Sequence, residues 1–153
     1  MINNYKICLI LLISSLSACK KNSDPVVDTP AQLDASGTWS TSSISNNTNG
    51  FSVSSAQFPC LANNKLVLSL GGTASREYDG MDTCYMTKIP PYILGVPGDS
   101  TPGTWSQHGD SVTIQIQGLT KPGLGVISKT STGLQLLIKD SVVNSIAVTV
   151  LIK

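Results

Sequence analysis

From Gly37 to the end of the 153-residue chain, apolar residues recur at every second position in short runs, a pattern that admits little except a β fold. Phe51 and Val53 make one such run, and Leu66, Leu68 and Leu70 another. Val112, Ile114 and Ile116 alternate with Thr113 and Gln115, and Leu134, Leu136 and Ile138 precede Ile146, Val148, Val150 and Ile152. Successive side chains on a strand point to opposite faces, so this pattern describes strands with one buried and one solvated face. Gly71-Gly72, Asp79-Gly80, Gly109-Asp110 and Thr132-Gly133 separate the runs and supply turn residues. No segment keeps a 3.6-residue period for the length of a helix. About eight to ten short strands predict an all-β domain over residues 37–153, an up-and-down antiparallel β-barrel of about eight strands, with a two-sheet β-sandwich as the alternative. The barrel is preferred because most links between neighbouring runs are short enough for hairpins.

The N-terminus reads differently. Lys6 and the α-amino group form a short positive region, and Ile7 to Ile13 with Leu16 form an apolar stretch too short to span a bilayer. Leu16-Ser17-Ala18-Cys19 closes it and resembles the lipobox of bacterial lipoproteins. That resemblance implies a signal peptide over residues 1–18, cleavage before Cys19, and lipidation of the Cys19 thiol, with palmitate-type chains anchoring the protein to a membrane. An ordinary signal peptide with an incidental Cys19 is the alternative. One acyl chain gives reversible attachment and several give durable anchoring, at about 0.8 kcal/mol per buried CH₂. Residues 19–36 carry Pro25, Pro30, Asp24, Asp28 and Asp34 with few large apolar groups, the composition of a flexible tether. The expected location is the cell envelope, lipid-anchored at the outer membrane.

Export implies an oxidising compartment, where cysteines pair. Cys60 and Cys84 remain beside Cys19 once Cys8 leaves with the signal peptide, and a Cys60–Cys84 disulfide is expected. Metal binding is the alternative, without a CxxC pair or a nearby histidine in its favour. Charged residues are 12% of the chain, against about 25% in ordinary domains. Without residues 1–18 the nine bases match the nine acids, which leaves no basic excess for nucleic acid.

Gly-x-Trp occurs twice, at Gly37/Trp39 and Gly103/Trp105. With Cys60, an alternating strand, a glycine turn, Cys84, and then Gly-Thr-Trp leading into Val-Thr-Ile, the layout resembles the lipocalin-like domains of small Bacteroidota lipoproteins. The resemblance covers about residues 36–153 and implies a barrel whose interior holds a small apolar ligand. The chain ends on a strand and not on the long helix that follows a lipocalin barrel.

The segment Ile89-Pro90-Pro91-Tyr92-Ile93-Leu94-Gly95-Val96-Pro97-Gly98 interrupts the alternation. Its prolines exclude a central strand, and its apolar groups must cover a barrel mouth, a partner or a ligand. The expected ligand-lining residues are therefore Trp39, Tyr92, Ile93, Leu94 and Trp105. The rival expectation is a surface module that presents the 89–102 loop to an envelope protein or a polysaccharide. Asp99-Ser100-Thr101 also resembles a Bacteroidota O-glycosylation acceptor. No enzyme is expected, and neither cofactor nor metal. His108 is the sole histidine and sits in a turn, Glu77 is the sole glutamate, and no GxSxG, phosphate loop or HExxH occurs.

Overall fold

The computed structural model describes residues 31–46, 50–86, 92–142 and 145–153, and the compact unit spans Ala31–Lys153. Eight strands close an antiparallel barrel: β1 (Gly37–Asn46), β3 (Asn64–Leu68), β4 (Thr73–Tyr78), β7 (Ser100–His108), β8 (Ser111–Ile116), β9 (Gly123–Thr130), β10 (Gly133–Val142) and β11 (Ser145–Ile152). Each pairs with the next, and β11 returns to β1 from Ser40↔Ile152 to Asn46↔Ala147. That closure excludes the two-sheet sandwich and leaves the barrel without a free edge. Barrel neighbours follow one another in the chain except for two insertions. One carries β2 (Phe51–Ser54), an outer strand on β1, and the short 3-10 helix Pro59–Asn63. The other is a separate two-stranded sheet of β5 (Cys84–Met86) and β6 (Tyr92–Gly95).

The apolar segment expected as a loop over residues 89–102 is thus largely strand. Residues 89–91 lie outside the described residues, Tyr92–Gly95 form β6, and β7 starts at Ser100, ahead of the second Gly-x-Trp motif. Pro102 is tolerated in β7 because the pairing with β8 reaches only to Gly103↔Ile116. Beyond that rung the Pro102 carbonyl accepts from the Gln117 amide at 2.9 Å, and no donor is asked of the proline.

The interior is filled from one end only. Trp39, Leu66, Leu68, Ala74, Val112, Ile114, Ile116, Ile127, Leu136, Ile138 and Leu151 form the main core. Residues 31–36 plug that end. Ala35 is fully buried, its amide bonds the Gln107 side chain at 2.9 Å, and its carbonyl accepts from Trp39 Nε1 at 2.7 Å. Gln107 Nε2 also donates to the Leu33 carbonyl. A second, smaller core of Val53, Leu61 and Met86, joined by Ile44, Phe51, Phe58 and Leu94, gathers the two insertions at the opposite end. The Cys60–Cys84 disulfide, Cα–Cα 5.6 Å, ties the 3-10 helix to β5 there.

Candidate functional site

Between the two cores the barrel holds a cavity of about 350 Å³, within the usual range for small-molecule sites. Leu66, Ile138 and Leu151 form its apolar floor, and Ile44, Ile93 and Leu94 its apolar upper wall. Thr41, Thr101 and Thr149 add hydroxyls, and Asn64, Tyr78, Gly95 and Asp99 complete the rim.

The decisive geometry is a charged strut across the bore. Arg76 on β4 and Asp140 on β10 occupy inward positions, in register with Ala74 and Tyr78 on one strand and Leu136 and Ile138 on the other. In the strand order of the barrel, β4 and β10 stand four strands apart by either route, so they face each other across the lumen. Arg76 Nη2 donates to Asp140 Oδ2 at 2.8 Å, with the side chains 39% and 12% exposed. Asp140 has room because β9 presents glycine opposite it: a Cβ on Gly123 would lie 2.3 Å from Asp140 Oδ1. The strut marks the level at which apolar packing stops and the cavity begins.

Tyr78 shapes the rim. Its ring lies against Gly95 of β6, where a Cβ would come within 2.3 Å of Cδ2, and its hydroxyl donates to the Asp82 carbonyl at 2.7 Å. The β5–β6 sheet is thereby pressed onto the barrel mouth by Tyr78 on one side and by the disulfide on the other.

The residues expected to line the ligand site divide between the two ends. Ile93 and Leu94 line the cavity. Tyr92 pairs with Met86 through the backbone, and its side chain lies outside what is described. Neither Trp39 nor Trp105 is among the residues that line this cavity. Trp39 is fully buried in the main core, with Lys153 Nζ 5.6 Å from its ring centre. Trp105 packs beside that core and donates from Nε1 to the Ser69 carbonyl at 2.8 Å. Both indoles close the plugged end, and the buried N–H of Trp39 finds the Ala35 carbonyl.

Asp99 sits on the rim and Ser100 opens β7 opposite Glu77, so the Asp99-Ser100-Thr101 triplet lies at a strand start and not within a loop. His108 pairs with Ser111 in an exposed hairpin. Among the described residues no three His, Cys, Asp or Glu side chains converge as a metal site, and no helix is long and apolar enough to cross a membrane. Cys19 and the apolar run before it lie outside the described residues.

Sequence reasoning missed Arg76 and Asp140. The signal was there: Arg76 is the only arginine of the chain, and both residues extend an inward-facing alternation with a charge. The chain matches no protein-family model, no curated protein and no solved structure.

Proposed function

We propose that this chain is a lipid-anchored cell-envelope protein whose lipocalin-like barrel binds a small, largely apolar molecule without transforming it. The observation that carries this reading is the cavity of about 350 Å³ left between a closed core and a pinned hairpin. A barrel of eight strands can be filled entirely by its own side chains. Here a cross-bore ion pair stands where large apolar groups would have filled the bore. Residues 31–36 plug one end of the barrel, and the cavity mouth lies at the other.

Two experiments test it. Titrating the purified chain with a polarity-sensitive dye, followed by native mass spectrometry, is expected to give one displaceable dye per chain, and a dry interior with no displaceable probe overturns the ligand reading. Radiolabelled palmitate is expected to enter the protein and to be lost in Cys19→Ser. Incorporation that survives Cys19→Ser overturns the anchor.

Tyr85 and Ile93 are 53% and 59% exposed on the β5–β6 sheet, which favours a second reading in which this sheet is presented to another envelope component. Tyr85→Ser, at a position outside the cavity lining, separates the two: a lost pull-down partner with undiminished dye binding supports presentation.

A further inference from the structure

Resting on the ligand reading, we infer that the cavity selects a neutral amphiphile, one whose ester, amide or ketone carbonyl accepts a hydrogen bond from Arg76, over fatty carboxylates and alkylamines. The Arg76 side chain lines the cavity and, among the described residues, makes a single hydrogen bond, from Nη2 to Asp140. A guanidinium carries five N–H donors and no acceptor, so the strut still has donors to offer. Asp140 is withdrawn from the cavity: its side chain is 12% exposed and outside the lining, its Oδ2 holds Arg76, and its Oδ1 faces the notch at Gly123.

Charge completes the selection. Asp140 already neutralises Arg76, and the rim adds Asp99 and Glu77. Lys65 is the rim's only other cation among the described residues, and its Nζ is engaged by Ser40 Oγ at 2.9 Å and by Asp79 at 3.8 Å. An anion would have to displace Asp140 or be buried beside it, and a desolvated charge without a partner is strongly disfavoured. An ammonium finds Arg76 in its way. A carbonyl takes the free N–H groups without adding charge, while its alkyl part lies on Leu66, Ile138 and Leu151. The volume accommodates about a dozen groups of water size, the scale of a medium-chain ester.

Dye displacement from the purified chain by methyl octanoate, octanoate, octylamine and butylbenzene tests this at neutral pH. Methyl octanoate is expected to bind at least about tenfold more tightly than octanoate or octylamine. The double variant Arg76→Met/Asp140→Leu, which removes both charges together and avoids stranding either, is expected to lower the ratio of ester to butylbenzene affinity by about tenfold. Octanoate binding as tightly as the ester, or an unchanged ratio in the double variant, overturns the selectivity and leaves the ligand reading intact. Failure of all four probes to displace the dye overturns the ligand reading itself.

Discussion

Arg76 and Asp140 show how one pair of side chains decides whether a barrel is full or partly open. Two charges facing each other across an apolar lumen are tolerable only because they meet at 2.8 Å and keep some access to water through the cavity. Removing either partner strands the other, so Arg76→Met and Asp140→Leu are each expected to lower unfolding free energy by about 1–3 kcal/mol in urea titrations. Together they are expected to lie within about 1 kcal/mol of the unsubstituted chain, because the strut is replaced by apolar bulk. Asp34 acts at the plugged end. It accepts from the Ser36 amide and hydroxyl, both at 2.8 Å, and these bonds hold its carboxyl below the ordinary value of 3.8. A depressed carboxyl contributes stability above its unfolded pKa and loses it as pH falls through the lower, folded value. Asp34→Asn is therefore expected to flatten the acid side of the stability profile below pH 3.8 and to leave its shape at neutral pH unchanged, as read by thermal melts across pH.

At the scale of elements, the insertions matter more than the barrel strands. Among the described residues β5 and β6 pair only with each other, and a two-stranded sheet is marginal by itself. It is held by the second core, by the Tyr78 ring against Gly95, and by the Cys60–Cys84 bond, whose sequence separation is 24. In the chain-entropy account a loop of that length stabilises by about 3 kcal/mol. Cys60→Ser with Cys84→Ser is expected to lose about that much. Amide exchange should rise at Cys84–Met86 well before it rises at Val112–Ile116, because only the former depend on the clip. Gly95→Ala drives a methyl into the Tyr78 ring and is expected to destabilise by about 1–3 kcal/mol while increasing dye access to the cavity, both readable in one titration.

For the molecule as a whole, the closing rung joins residues near the two ends of the barrel sequence, Ser40 with Ile152. Such pairing meets its loop-closure entropy before any reward arrives, and all-β chains rich in it refold over about milliseconds to seconds. Refolding with the disulfide intact is expected in that range by stopped-flow tryptophan fluorescence, reported by Trp39 as the plugged end dries. Truncation after Val142 removes β11 and exposes the edges of both β1 and β10. It is expected to abolish the near-ultraviolet circular dichroism signal of the two indoles.

The alternation of Leu66/Leu68, Val112/Ile114/Ile116 and Leu134/Leu136/Ile138 was enough to establish strands, their inward faces and a single β domain, because period-2 burial is a local property of the chain. Cys60 and Cys84 were legible as a pair because they are the two cysteines of the β domain over residues 37–153. The sequence alone did not say which end of the barrel each tryptophan closes, since Gly-x-Trp is the same local signal at Gly37 and at Gly103 whichever end is sealed. Nor did it show that Ile93 and Leu94 belong to a strand, because the flanking Pro90, Pro91 and Pro97 argue locally against one. Only the closed barrel brings β4 and β10 face to face. An arginine and an aspartate 64 positions apart become one strut by that closure, and the space beside them becomes a site.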